Sequence, residues 1–217
     1  LIINFLTIEK LSSQNVVING KVNEPNALIR LFSYNDMLSC EVTKIAETKS
    51  DHEGVFKLEA TINEIGIAQI AVNLERVDFL LKPNATYDLE ILIPEQEIES
   101  SYFERQNPTL KMNNADDQGL YYQYYASETI INDFILEHFN QIYRGRQLSL
   151  LDTLDVRIEK EVGDIKSDFV RDYVRYRKAS IQMAVNNDNA KKVVNQYYDK
   201  NEILYSQPAY MELFREI

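Results

Sequence analysis

The sequence predicts an α+β protein: an N-terminal antiparallel β-sandwich followed by a helical segment of four or five helices. Up to about residue 93, apolar residues alternate with polar ones in short segments, which turn residues separate roughly every 8 to 12 positions. After residue 119 the apolar residues recur every three or four positions, which is the period of a helix. We therefore expect a sandwich domain in residues 1–95, a linker in 96–118 and a helical domain in 119–217.

The predicted strands are short and differ in how clearly they alternate. The clearest pattern places Phe56, Leu58, Ala60 and Ile62 on one face. A second segment places Ala27, Ile29, Leu31 and Ser33 toward the core, and a third directs Cys40, Val42 and Ile45 inward. Gly20 indicates a bulge in the first strand. The predicted strands are residues 15–22, 27–34, 38–48, 55–62, 67–72, 77–81 and 86–93.

Residues 51–54 form the turn around which the sheet half is organised. Asp51 opens it and Gly54 closes it between two alternating segments. Glycine adopts positive φ without the steric cost that other residues pay. We therefore expect Gly54 to have positive φ where the two segments meet.

The linker region, residues 94–119, is polar and contains few periodic apolar residues. Helices are predicted from residue 120 to Gly145, from Ser149 to about residue 165, from Ser167 to a break at residues 186–189, and over 190–200. A last helix starts at Pro208, with Ser206 as its N-cap. On the third helix, one face is expected to carry Phe169, Val170, Tyr173, Val174, Arg177, Ile181 and Ala184.

Tyrosine is concentrated in the helical half. All but two of the 14 tyrosines, Tyr34 and Tyr87, follow residue 100. Rings of amphipathic helices pack in a core with their hydroxyls at its edge, and this is the leading explanation. Four rings on consecutive turns cannot all face one core, so an interaction surface for glycans or peptides is the alternative. Its candidate residues are Tyr121, Tyr122, Tyr124 and Tyr125.

Three residues of the third helix, Arg171, Arg175 and Lys178, share a helical face, with Asp168 and Asp172 at pairing distance along the chain. An ion-paired surface is the simpler interpretation and a site for an anionic ligand is the other. The lone Cys40 is interpreted as an inert buried residue.

No stretch predicts a catalytic, cofactor or metal site. His52 is expected in a solvated turn and His138 at the edge of a helical core. The oxygen-rich residues Asn113, Asn114, Asp116 and Asp117 do not have the spacing of a calcium-binding loop, and Asp117 is interpreted as a helix cap. No Gly-rich phosphate loop occurs.

The net charge of −11 argues against a protein that binds nucleic acid. The longest apolar run, residues 1–8, is far shorter than the ~20 residues of a spanning helix, so no membrane span is predicted.

Four segments carry a resemblance to known families. Residues 48–58, an acidic turn closed by glycine before an aromatic strand, resemble transthyretin-like and carboxypeptidase-regulatory-like sandwiches. Residues 79–89 are similar to the last hairpin of the β-domain that precedes a helical insert in bacterial envelope thioredoxin-like proteins, with Pro83-Asn84 in place of the usual Pro-Gly. Residues 173–178 and 207–214 resemble that helical insert.

The resemblance implies a non-catalytic accessory or interaction module of a cell-envelope thioredoxin-like protein, located in the periplasm or cell envelope. Its partner would be another protein or an attached C-terminal thioredoxin domain, whose Cys-x-x-Cys has no matching position here. The alternative is an envelope ligand-binding protein that uses the tyrosine-rich helical surface. For this chain itself we expect no enzymatic activity and no cofactor.

Overall fold

A computed structural model of the chain describes residues 14–95, 106–114, 119–186, 190–199 and 202–217. The chain forms two compact units. The first comprises Leu1–Phe32 and Lys44–Asn113, and the second comprises Ser33–Thr43 and Asn114–Ile217. Strands precede helices along the chain, so the predicted α+β class, with a sandwich followed by helices, is confirmed.

Two four-stranded sheets make up the sandwich. One sheet has the order β4-β1-β7-β8 and the other has the order β3-β2-β5-β6. The strands are β1 (Gln14–Val22), β2 (Leu28–Tyr34), β3 (Val42–Lys49), β4 (Val55–Ile62), β5 (Gly66–Val72), β6 (Glu75–Leu81), β7 (Thr86–Leu92) and β8 (Thr109–Met112). The β1–β4, β5–β6 and β7–β8 pairs are antiparallel, whereas β1 and β7 run parallel. Side-chain alternation does not encode strand direction, so the parallel pair has no sequence signal.

The sandwich core combines the inward faces of both sheets in one cluster of buried residues. The alternation predicted for β4 is confirmed, because its even-numbered residues are all buried and its odd-numbered ones are exposed. In the second predicted segment Ala27, Ile29 and Leu31 are buried, but Ser33 is only half-buried. The largest fully buried side chains of the sandwich are Phe79, Ile18, Ile29, Leu31, Leu58, Ile70, Leu80, Leu89 and Ile91.

The turn at residues 51–54 has the predicted conformation. Gly54 has φ +81°, and its carbonyl accepts a 2.9 Å hydrogen bond from the Val22 backbone N–H. An added Cβ at Gly54 would lie 1.9 Å from the Val22 carbonyl oxygen. The Asp51 Oδ1 atom accepts hydrogen bonds from the backbone N–H groups of Val55 at 2.8 Å and Glu53 at 2.9 Å. Glycine is thus required both by φ and by the close approach of β1.

Gly20 does not form the predicted bulge. The β1–β4 register runs without interruption and pairs Gly20 with Phe56. A Cβ on Gly20 would lie 2.2 Å from the Phe56 ring, so the ring occupies the space that a side chain would take. The missing side chain therefore makes room for a core aromatic in the neighbouring strand.

The prediction that Cys40 lies on a buried strand is wrong. Cys40 is exposed, has φ +56° and precedes β3. The Asp36 Oδ1 atom accepts hydrogen bonds from the backbone N–H groups of Leu38 at 2.8 Å and Ser39 at 2.6 Å. These bonds bend the chain into a turn, since such side-chain acceptors compete with strand pairing. Further along, Ile45 does pack against the sandwich core.

The predicted linker contains an eighth strand. Within it, Thr109–Met112 pairs antiparallel with β7, and the half-buried Leu110 and Met112 pack against the sandwich core. Four residues are too few to establish a period, which is why the segment was predicted to be irregular. Because residues 96–105 and 115–118 lie outside the described part, the interpretation of Asp116 and Asp117 concerns residues that the structure does not describe.

The second unit is helical. Its α-helices are α1 (Leu120–Phe139), α2 (Leu150–Val162), α3 (Asp168–Asn186), α4 (Ala190–Val193) and α5 (Pro208–Glu216). A π-helical turn, Asn140–Arg144, follows α1, and another, Val194–Tyr198, follows α4. Helix α3 packs against α1 and α5, and α1 also packs against α2. Over the described residues, no helix has the length and apolar composition needed to cross a bilayer.

The helix ends follow the sequence signals only in part. Helix α2 stops before Gly163, which has φ +78°, and therefore ends earlier than predicted. Ser149 makes no side-chain capping hydrogen bond. Gln207, rather than Ser206, caps α5, and its side chain accepts a 3.4 Å hydrogen bond from Ala209 N–H, with Pro208 in the first turn as predicted. The end of α3 agrees with a break near Asn186, but residues 187–189 lie outside the described part.

The inward face of α3 differs from the predicted one. Val170, Tyr173 and Ile181 are buried as predicted, whereas Phe169, Val174 and Arg177 are half-buried and Ala184 is exposed. Contacts with both α1 and α5 require two apolar stripes rather than one, so further residues turn inward. These are Tyr176, Ala179 and Val185.

We predict that Gly54→Ala lowers the free energy of unfolding by about 2 kcal/mol or more. An alanine there would have a strained left-handed backbone, and its Cβ would also clash with the Val22 carbonyl oxygen. Urea denaturation followed by circular dichroism measures it. Gly163→Ala is the matched control, since Gly163 also has positive φ but nothing lies within 4 Å of an added Cβ. We expect the control to cost less, and an unchanged midpoint for Gly54→Ala would show that the turn tolerates a side chain.

The turn also predicts a pH dependence. The hydrogen bond from Val55 N–H, supported by that from Glu53, holds the pKa of Asp51 below its usual range. A carboxylate whose pKa is lower in the folded state adds stability above its unfolded pKa of about 4 and loses that contribution as the pH falls through the folded pKa. Urea denaturation at several pH values should therefore show wild type and Asp51→Ala differing most near neutrality and converging in acid. A gap that stays constant with pH would contradict this.

Candidate binding groove in the helical unit

The four tyrosines predicted as an interaction surface occupy different environments. Tyr124 is buried, with its ring centroid 4.8 Å from that of Tyr173, and burial raises its pKa. Tyr121 and Tyr125 are half-buried and contact each other at 4.5 Å. Tyr122 is 39% exposed, and its hydroxyl donates a 3.1 Å hydrogen bond to a backbone carbonyl oxygen of α2. Tyr124 therefore belongs to the core, while the other three are at least partly accessible.

A polar network joins α1, α3 and α5. The Arg177 guanidinium donates from Nη1 to Glu212 at 3.2 Å and from Nη2 to the Asn132 Oδ1 atom at 2.9 Å. The Tyr173 hydroxyl lies 3.4 Å from a Glu128 carboxylate oxygen. The Arg177 side chain is 20% exposed and that of Glu212 is 51% exposed, so the ion pair is partly covered. Because the network joins three helices, we assign it a structural role.

The cationic face of α3 lines an open groove with a volume of about 590 Å³. Its position agrees with the sequence prediction that the three cations share one helical face. Volumes of roughly 300 to 1,000 Å³ are typical of sites for small ligands. The groove is lined by Ile165, Arg171, Val174, Arg175, Lys178, Gln182, Gln196 and Tyr197.

The three cations of the groove differ in their partners. Arg171 pairs with Asp168 and donates a 2.7 Å hydrogen bond from Nη1 to the Ile165 carbonyl oxygen. Lys178 donates a 2.6 Å hydrogen bond to the Asp155 Oδ1 atom. These two pairs match the interpretation of the helix face as an ion-paired surface.

Arg175 has aromatic partners instead. Its guanidinium carbon lies 5.3 Å from the ring centroid of Tyr176 and 5.7 Å from that of Tyr197. Within the described chain, no carboxylate lies at ion-pair distance from Arg175. Contacts between a cation and ring faces restrain the side chain without neutralising its charge. Arg175 is thus an exposed, oriented positive charge at the groove.

Asp172 lies three residues before Arg175 on the same helix and is half-buried. Burial raises the pKa of Asp172, and the nearby charge of Arg175 opposes that rise. On the far wall of the groove, the Tyr197 hydroxyl donates a 2.9 Å hydrogen bond to the Gln182 Oε1 atom. That bond occupies the amide oxygen of Gln182 and leaves its amide nitrogen as a donor.

The sequence did not indicate Gln182, Gln196 or Tyr197 as members of this site. Gln196 and Tyr197 belong to the π-helical turn after α4, whose position against α3 depends on tertiary packing. The sequence signal for this site was the helical spacing of Arg171, Arg175 and Lys178. That spacing located only the wall of the groove that α3 forms.

The two histidines lie outside this groove. His52 is exposed in its turn, with Nε2 3.8 Å from a carboxylate oxygen of Glu53. The His138 Nδ1 atom lies 2.6 Å from the Gln141 Oε1 atom, and its ring contacts that of Phe134 at 4.5 Å. Among the described residues, no three His, Cys, Asp or Glu side chains are grouped so that they could hold a metal ion.

Comparisons with known proteins identify no family. No family model matches the chain, and no curated protein matches it. Among solved structures, a cell adhesion-like protein from Bacteroides fragilis NCTC 9343 is similar at 9% identity and a TM-score of 0.27, over 48% of this chain and 45% of that one. A 9R-lipoxygenase from Cyanothece PCC8801 is similar at 11% identity and a TM-score of 0.26, over 75% of this chain and 30% of that one. The chain spans less than half the length of either protein, and likenesses this weak carry no functional argument.

We predict that the tyrosine cluster separates into structural and surface residues. Tyr124→Ala should lower the free energy of unfolding by about 3 to 5 kcal/mol because it empties a core site. Tyr122→Ala should cost about 1 kcal/mol, the net value of one hydrogen bond. Tyr124→Phe keeps the ring and serves as the control, with a midpoint close to that of wild type. Equal losses for the two alanine variants in urea denaturation would contradict this division.

Proposed function

We propose that this chain is a non-catalytic interaction module whose helical unit binds a ligand or a protein partner at the groove of α3. The observation that carries the proposal is Arg175, a charged side chain that two aromatic rings restrain and that forms no ion pair with a described carboxylate. Preorganised groups of this kind lose little conformational entropy on binding.

The proposal extends to the protein as a whole. The resemblance of residues 79–89 and 207–214 to envelope thioredoxin-like proteins supports an accessory role beside a thioredoxin domain, in the periplasm or cell envelope. Disulfide exchange proceeds through a mixed disulfide that a second thiol resolves. Cys40 is the single cysteine of this chain, so we assign any redox chemistry to the attached domain.

The alternative function uses the tyrosine surface of α1 to bind a glycan or peptide. The observation that favours it is the accessible pair Tyr121 and Tyr125, which presents two adjacent rings. Aromatic side chains at interfaces supply contact area at low entropic cost. The two functions differ in the residues that binding requires.

A thermal-shift screen with peptides and glycans tests the proposal. We expect some ligands to raise the melting temperature of wild type and to lose this effect in Arg175→Gln. Arg144→Gln is the matched control, because Arg144 is exposed and does not line the groove. Shifts that survive in Arg175→Gln but disappear in Tyr121→Ala would support the alternative instead.

Two further outcomes would count against the proposal. A screen without any shift would remove the binding role. Insulin reduction by this chain that disappears in Cys40→Ser would show catalysis by the single thiol and contradict the non-catalytic assignment.

A further inference from the structure

We infer that the groove of α3 takes an extended peptide segment that carries carboxylates at alternate positions. In this arrangement Arg175 binds one carboxylate through its N–H fork and Arg171 binds the next. The inference rests on the proposed function and adds the chemical class of the ligand. Four features of the groove support it. These are the guanidinium of Arg175 without an ion-pair partner, the spacing of the cations, the exposed ion pair of Arg171 with Asp168, and the residues that form the walls.

Arg175 has the chemistry of a carboxylate receptor. A guanidinium presents five donors in a planar fork that matches both oxygens of a carboxylate. Its carbon lies 5.3 Å from the centroid of the Tyr176 ring and 5.7 Å from that of the Tyr197 ring, beside two rings whose centroids are 6.1 Å apart. The fork is therefore oriented before a ligand arrives, and binding a carboxylate there requires no existing carboxylate to leave.

The spacing of the cations favours two separate carboxylates over one phosphate. Arg171 and Arg175 are four residues apart on a helix, which corresponds to a rise of about 6 Å. Alternate side chains of an extended strand are separated by about 6.5 Å. Lys178 is already held by Asp155 at 2.6 Å, so the cations do not converge on one point as a compact phosphate would require.

The ion pair of Arg171 is easy to exchange. Asp168 is 89% exposed and the Arg171 side chain is 51% exposed. Exposed pairs contribute little because water screens them. A ligand carboxylate can therefore replace Asp168 at small cost, while the better-covered Lys178 keeps its partner on α2.

The walls suit a peptide backbone and apolar side chains. Gln182 and Gln196 present amide groups, and Ile165 and Val174 present apolar surface. An extended peptide offers backbone carbonyl oxygens to amide donors and places alternate side chains on opposite sides. The net charge of −11 opposes acidic ligands at long range, but screening at physiological salt limits that effect to about 8 Å, so the groove's own cations decide the contact.

The test is isothermal titration calorimetry of the intact chain with a capped heptapeptide of alternating glutamate and valine. The matched probe replaces each glutamate with glutamine. We expect the glutamate peptide to bind, with affinity that falls as salt rises, and the glutamine peptide to bind at least about tenfold more weakly. Arg175→Gln should weaken binding of the glutamate peptide by a similar factor, and Arg144→Gln should leave it unchanged.

Arg171→Gln provides a second variant, because its exposed side chain can be replaced without disturbing the core. It should also lower the affinity for the glutamate peptide, by a smaller factor than Arg175→Gln does. Circular dichroism verifies that each variant is folded. Arg175→Lys keeps the charge but loses the fork, so we expect an affinity between those of wild type and Arg175→Gln.

Several results would overturn the inference. These are equal binding of the two peptides, no binding of the glutamate peptide, unchanged binding in both arginine variants, and tighter binding of inorganic phosphate or polygalacturonate than of the glutamate peptide. If ligands from the thermal-shift screen still depend on Arg175 while this peptide does not bind, the ligand class is wrong and the proposed function stands. If no ligand depends on Arg175, both fail.

Discussion

The sandwich is built around a close approach of two backbones, where β1 ends beside the turn that starts β4. The Gly54 carbonyl accepts a hydrogen bond from Val22 N–H, and the space beside Gly54 leaves no room for a Cβ. The buried Ser50 hydroxyl accepts a 2.9 Å hydrogen bond from Ala27 N–H and donates at 3.1 Å to the Glu24 carbonyl oxygen. These bonds fix the turn to the loop between β1 and β2, so strands of both sheets take their register from one place.

The helical unit depends on buried polar groups that join its helices. The Gln207 side chain, which caps α5, also donates a 2.7 Å hydrogen bond to the Phe169 carbonyl oxygen near the start of α3. The Gln123 side chain of α1 donates a 2.8 Å hydrogen bond to the Asp164 carbonyl oxygen between α2 and α3. The Phe169 carbonyl lies in the first turn of α3 and the Asp164 carbonyl in the loop between α2 and α3, so these glutamines join the start of α3 to its neighbours. Among the described residues of this half, Tyr124, Tyr173, Tyr176 and Tyr210 are buried between the helices.

The same packing creates the groove. Tyr176 faces the core, where its ring contacts Tyr210 at 4.9 Å, and it also lies beneath the Arg175 guanidinium. Tyr197 completes the arrangement from the π-helical turn after α4. A core contact thereby restrains a surface charge, and the orientation of Arg175 follows from the stability of the helical unit. Tyr176 and Tyr197 therefore connect the packing of the helical unit to the proposed binding at Arg175.

The sequence by itself determined the class of the fold, the strands with clear alternation and the conformation of Gly54, because each depends on local sterics and periodicity. It also placed Arg171, Arg175 and Lys178 on one helical face. Only the tertiary structure decided the rest. Strand β8 and the parallel β1–β7 pair arise from contacts between residues distant in sequence, the Asp36 side chain turns Cys40 out to solvent, and packing of the turn after α4 brings Tyr197 to Arg175. A single sequence encodes local preferences directly, whereas pairings between distant segments are selected by the free energy of the whole core.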